Sequence, residues 1–235
     1  MADPFRHYER YQDTYDTISR ELDTLRESFL SADRFTQKVM LFDSSVFAVM
    51  SVQNDISILR RAFRGYCNAD TWDELREVMR GVNYGNNKFD YIRSNFDTIF
   101  SDTGDDIIFR LKTGNVWEAV ELMADELAGV SYIKAPFIPA MLGFKDVMCI
   151  DTNMAQMIPD DRVKAKDYKS VSEYREAIEI AKGEYKNLSE RLSTFMFQWV
   201  CFDTNRSEGV AKHEEWFEVM LPGSSFGRQT GLSEY

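Results

Sequence analysis

Apolar residues recur every three or four positions along almost the whole chain. Tyr8, Tyr11, Tyr15, Ile18, Leu22, Leu25 and Phe29 form one stripe, which predicts a long amphipathic helix over 8–29. Phe42 to Val52 is densely apolar, with Asp43-Ser44-Ser45 as cap candidates at its start. Helices follow over Ile56–Tyr66, Trp72–Met79, Phe89–Phe100, Val116–Leu127 and Ile133–Leu142, with a turn at Gly81–Asn87. Ser172 opens a further pattern running to about Phe202, with Gly183 as its weak point, and Val210–Met220 closes the series. No stretch alternates convincingly enough for a sheet, and Val147–Ile150 reads as a connector. The pattern predicts an all-α chain of about ten helices, and the polar stretch Pro159–Lys169 is suited to bridging two lobes.

Composition narrows the possibilities. With 235 residues, 44% hydrophobic, and only 12 Gly and 5 Pro, the chain can bury a substantial core and is not linker-like. No apolar run is long enough to span a bilayer, and Met1 to His7 lacks a signal pattern, so a cytoplasmic or nucleoid-associated, unsecreted protein is expected. Three scattered cysteines (Cys67, Cys149, Cys201) and two histidines (His7, His213) in polar segments support no metal, no iron–sulfur cluster and no histidine-assisted nucleophile. The net charge of −11 argues against a protein that coats nucleic acid indiscriminately, although Arg60, Arg61 and Arg64 form a local basic cluster.

Candidate chemistry concentrates in one block. Gly129-Val130-Ser131-Tyr132-Ile133-Lys134-Ala135 sets a lysine in apolar sequence after a glycine turn, and Cys149-Ile150-Asp151-Thr152-Asn153 follows with an aspartate. A lysine in such surroundings can lose its proton near neutral pH and act as a nucleophile beside a carboxylate. Taken alone, the same residues also read as a snorkelling lysine and a helix cap.

The block resembles the helix-hairpin-helix DNA glycosylase superfamily, the group that includes endonuclease III and 8-oxoguanine glycosylase. The family hairpin runs Leu-Pro-Gly-Val-Gly-x-Lys-x-Ala, and its aspartate follows in a Val-Asp-x-His context. Leu127 to Ala135 and Ile150-Asp151-Thr152-Asn153 stand in those places. Phe47 to Asp55 is similar to the family's apolar helix ending in Ser-x-Gln, and Tyr84 to Ile92 to its tyrosine–lysine turn and helix. Phe197 to Phe202 is similar to a late helix of the 8-oxoguanine branch. This chain has one extra residue between Gly129 and the lysine, lacks the second hairpin glycine, carries Asn153 where histidine is common, and places Pro136 and Pro139 just after Lys134. Those prolines require the following helix to start late or kink.

The resemblance implies two helical lobes with the hairpin between them and the active-site cleft at their interface. Residues 36–151 would form the central lobe, and residues 1–35 with 152–235 the second. It implies a monomeric base-excision glycosylase, with associated lyase activity at abasic sites, acting on duplex DNA that carries a damaged base such as 8-oxoguanine or an abasic site. Lys134 and Asp151 would be catalytic, Gln53, Asn54, Gly129 and Ser131 would contact DNA, and Gln198, Trp199 and Phe202 would form the base pocket. No cofactor or metal is implied. The alternative is a catalytically inactive helix-hairpin-helix module that binds DNA or another protein.

Overall fold

A computed structural model describes residues 3–54 and 56–206. Among the described residues there are thirteen helices and no strand. They are α1 (Pro4–Arg10), α2 (Gln12–Ser31), α3 (Arg34–Ser51), α4 (Ile56–Cys67), α5 (Trp72–Met79), α6 (Gly85–Ile99), α7 (Asp102–Lys112), α8 (Val116–Glu126), α9 (Phe137–Met141), α10 (Thr152–Met157), α11 (Val171–Glu184), α12 (Lys186–Ser189) and α13 (Thr194–Arg206). The fold is all-α, as the periodicity indicates. The expected helix over Val210–Met220 and His213 lie outside the described residues.

The stripe from Tyr8 to Phe29 is divided between two helices rather than forming one. The chain leaves helical geometry at Tyr11 (φ −123°, ψ 23°), and α2 then buries Tyr15, Ile18, Leu22, Leu25 and Phe29. The Tyr15 hydroxyl donates to the buried Asp203 carboxylate at 2.7 Å, tying α2 to α13.

Helix α3 is the centre of the molecule, packed by α2, α4, α6, α7 and α9. It begins well before the expected Asp43-Ser44-Ser45 cap. Asp33 caps it instead, its carboxylate accepting from the Thr36 N–H at 2.9 Å. The three polar residues lie buried in mid-helix, where Ser44 and Ser45 donate back to the Met40 and Phe42 carbonyls. A polar run resembles a helix start only when it faces water, and here apolar helices surround it.

Asp43 accepts a 2.5 Å hydrogen bond from the Tyr66 hydroxyl, yet burial dominates and pushes its carboxyl up to about 7. From about pH 4 to 7 the unfolded chain therefore loses this proton while the folded chain keeps it. Stability from this group is present in full below pH 4 and is lost as pH rises to about 7. Melting temperature is expected to fall across that window by the equivalent of a few kcal/mol, and to fall less in Asp43→Asn. Equal slopes in the two proteins would show that Asp43 is ionised in the fold.

Two further expectations change. Helix α7 goes unforeseen because its opening, Ser101-Asp102-Thr103-Gly104, looks like a turn. Gly104 is instead required inside the helix, since a Cβ there would lie 1.8 Å from the Ile99 carbonyl oxygen. The pattern from Ser172 to Phe202 becomes α11, α12 and α13. Its cap is Ser170, which accepts from the Glu173 N–H while the Glu173 carboxylate accepts from the Lys169 N–H.

Candidate active site

The hairpin segment is a tight turn followed by a late helix. The Ser131 carbonyl accepts from the N–H groups of Lys134 and Ala135 at 2.8 and 2.7 Å, and α9 begins only at Phe137, after Pro136. Lys134 therefore sits in the turn, half-buried, where a regular helix from Ile133 was expected. Among the described residues, the N–H groups of Ser131, Tyr132 and Ile133 have no internal acceptor. Gly129 has φ +72°, and a Cβ there would meet the Tyr91 ring at 2.4 Å. Gly129→Ala is expected to cost about 1–3 kcal/mol, from left-handed strain plus that clash. Chemical denaturation measures the loss, and adding Tyr91→Ala should recover part of it. Recovery of none would place the whole cost in the backbone.

Lys134 Nζ donates to Ser51 Oγ at 3.2 Å and stands 5.5 Å from the centroid of the Phe137 ring. Ser51 is the last residue of α3, and its hydroxyl donates to the Ala48 carbonyl at 2.8 Å. The lysine is thus held at the carboxyl end of the central helix.

Asp151 is the N-cap of α10. One carboxylate oxygen accepts from the Met154 N–H at 2.9 Å, and the other from Asn153 Nδ2 at 3.3 Å. The cap reading and the catalytic reading thus fall on one residue. No ion pair joins Lys134 to Asp151 within 4.0 Å. Burial pushes the Cys149 thiol up to about 11, while the charge of Lys134 draws it down and that of Asp151 raises it. Cys149 lies on the irregular connector Val147–Ile150.

That connector is held from behind. The Tyr174 hydroxyl of α11 accepts from the Ile150 N–H at 2.7 Å and donates to the Met148 carbonyl at 3.0 Å, and Gln198 Oε1 of α13 accepts from the Cys149 N–H at 2.6 Å. Irregular backbone in a core needs such partners. Gln198, expected in the base pocket, is 5% exposed and serves as a strut for the connector. Trp199 and Phe202, expected beside it, are buried and meet edge-on at a centroid distance of 5.3 Å.

The two expected DNA-contact residues after α3 separate. Gln53 is exposed with φ +57°, at the tip of the turn. Asn54 is turned inward. Its Nδ2 donates to the Met50 carbonyl at 2.7 Å, and its Oδ1 accepts from the Asn83 N–H at 3.1 Å. Asn83 Nδ2 in turn donates to the Gln53 carbonyl at 2.7 Å, so Gln53 and the exposed Tyr84 project from one braced platform.

Sequence reading did not single out Asn83, Tyr174, Asn95 or a bracing role for Lys88. Buried Asn95 clamps the peptide of Ala128, donating to its carbonyl at 3.1 Å and accepting from its N–H at 2.7 Å, which fastens the hairpin to α6. Lys88, 4% exposed, donates to the carbonyls of Met50 (3.4 Å) and Val52. A cavity of about 260 Å³ opens between these elements, lined by Gln53, Tyr84, Lys88, Tyr91 and Gly129 among others. A larger cavity of about 680 Å³, beside Trp117 and Arg175, shares no residue with this region.

No protein-family model matches this chain, and no curated protein matches it in sequence. Among solved structures, the fold is similar to the crystal structure of Tm1821, the 8-oxoguanine DNA glycosylase of Thermotoga maritima. The TM-score is 0.64 at 17% sequence identity, over 85% of this chain and 92% of that one. At that identity the likeness establishes a shared fold. Among the described residues, no helix is long and apolar enough to cross a membrane.

Proposed function

We propose that this chain is a base-excision DNA glycosylase with associated lyase activity, acting on duplex DNA that holds a damaged base. The observation that carries the reading is Lys134 bonded to Ser51 at the end of α3, two residues before the exposed, braced Gln53 tip, in a fold shared with an 8-oxoguanine glycosylase, with Asp151 at the start of α10 as its carboxylate partner. In this reading residues 36–151 form one lobe, α1, α2 and the helices after Asp151 form the other, and the damaged nucleotide enters between them.

A base inside a duplex is out of reach of any side chain, so it must be extruded at a cost of a few kcal/mol. Gln53 fills the gap that it leaves. The unengaged amides of Ser131, Tyr132 and Ile133 grip a phosphate, which needs no basic side chain and so fits a chain of net charge −11. As the glycosidic bond lengthens, positive charge builds on the sugar, and the Asp151 carboxylate stabilises it. The Lys134 amine forms a bond to C1′ while the base departs with the electron pair of the broken C–N bond. The amine proton passes to the departing base, and the C1′–O4′ bond breaks with its electron pair to O4′, which takes up a proton from solvent. The nitrogen lone pair forms the C=N bond of a protonated Schiff base; removal of the C2′ proton by solvent then expels the 3′ phosphate and cuts the strand.

8-Oxoguanine is the favoured substrate because the related fold acts on it. The test is release of free base from duplexes carrying 8-oxoguanine, other oxidised or alkylated bases, or uracil. Release from the 8-oxoguanine duplex is expected. Release of a different base alone would move the substrate, and release of none would overturn the reading in favour of a binding module.

A further inference from the structure

The connector that leads into Asp151 crosses the core, and among the described residues no strand lies beside it. Val147, Met148, Cys149 and Ile150 are each no more than 3% exposed, and the chain there is neither helix nor strand. Its peptide groups must therefore find side-chain partners. One hydroxyl serves two of them. Tyr174, from the first turn of α11, accepts from the Ile150 N–H at 2.7 Å and donates to the Met148 carbonyl at 3.0 Å. These are the two bonds that a residue of an adjacent strand would otherwise supply. Gln198 takes the Cys149 N–H at 2.6 Å, and the Cys149 carbonyl accepts from the Asp151 N–H at 3.0 Å. The consecutive N–H groups of Cys149, Ile150 and Asp151 are thus all engaged before α10 begins.

We propose that Tyr174 is a positioning residue for Asp151: its hydroxyl fixes the backbone that places the Asp151 carboxylate, and so sets the rate of base release. The inference rests on the glycosylase reading and adds to it a residue that acts only through Asp151. Tyr174 is fully buried, so it cannot meet the substrate itself. Its ring packs on those of Trp117 and Tyr168, at centroid distances of 6.3 and 4.8 Å, which holds the hydroxyl in place against the connector. The remaining bonds to Asp151 come from its own downstream neighbours, the Met154 N–H and the Asn153 amide. Those set the carboxylate relative to α10, whereas Tyr174 sets the residue before it relative to α11. Deleting the hydroxyl leaves a buried N–H and a buried carbonyl without partners, so the connector must shift to satisfy them. Asp151, the next residue, shifts with it.

The test is Tyr174→Phe, which removes the hydroxyl and keeps the ring. Single-turnover base release from an 8-oxoguanine duplex, at saturating protein, should fall by about 10- to 100-fold, the scale for a reacting group displaced by an ångström. Affinity for a duplex with an abasic-site analogue should stay near wild type, because Tyr174 touches no DNA-facing element named above. In the Asp151→Asn background the same substitution should slow release no further, since the group it acts through is already lost. A merely structural hydroxyl would lower the melting temperature and leave the rate per folded molecule unchanged. That result, or an equal loss in both backgrounds, would overturn the proposal.

A second measurement needs no turnover. In Tyr174→Phe, amide hydrogen exchange at Ile150 and Asp151 should speed up by about 10-fold or more, while the amides of α13 keep their wild-type rates. Unchanged exchange at Asp151 would overturn the placement. Faster exchange there, with no base release by the wild-type protein, would overturn the glycosylase reading on which the role rests.

Discussion

In Asp151→Asn, base release is expected to fall by roughly 10²–10³-fold, the scale for removing one electrostatic partner from a developing charge. The substitution separates the two roles of this residue. Asparagine is as good an N-cap as aspartate, so the bond to the Met154 N–H and the start of α10 survive. Asn153 can turn its amide to suit the new neighbour, and the connector keeps its struts on Tyr174 and Gln198. Melting temperature should therefore stay near wild type, and affinity for abasic-site DNA should be equal or higher, since a negative charge near the backbone is removed. Single-turnover base release, read beside the melting curve, checks this. Excision at the wild-type rate would reduce Asp151 to a helix cap.

Lys134→Gln is expected to lose the covalent adduct entirely and to slow excision by about 10³-fold or more, because the amine proposed to attack C1′ is gone. The fold should tolerate the change. Lys134 is half-buried, and its polar contact is a single 3.2 Å bond to Ser51, whose hydroxyl keeps its own acceptor at Ala48. Binding to a duplex with an abasic-site analogue should persist, which distinguishes a chemical defect from a folding one. Wild-type excision in this variant would exclude the lysine as nucleophile.

Lys134 and Asp151 stood out in the sequence for a physical reason. Charged side chains in apolar surroundings are rare, and both the glycine turn before Lys134 and the cap position of Asp151 are local signals. Elements with a clear apolar stripe and a local cap, such as α5 behind Thr71, were legible in the same way. What holds the pair in place was not. Asn95, Asn83, Lys88 and Tyr174 act on backbone atoms far away in sequence, and nothing in a polar residue on a helix face announces such a partner. The same holds for α13: Gln198 and Phe202 have the spacing of a base-reading pair, and the bond from the Cys149 N–H to Gln198 and the burial of Phe202 are long-range facts that this spacing does not announce. Asp43-Ser44-Ser45 looked like a cap because local sequence cannot show that five helices surround it.

The two lysines at the end of α3 make the identity of the attacking amine the central question. The direct measurement is borohydride reduction of the wild-type protein on a duplex with an abasic site, followed by proteolysis and mass spectrometry of the cross-linked peptide. The account predicts one adduct, on Lys134, absent from Lys134→Gln and present in Asp151→Asn. A cross-link on Lys88, or no cross-link with an intact, DNA-binding protein, would contradict it.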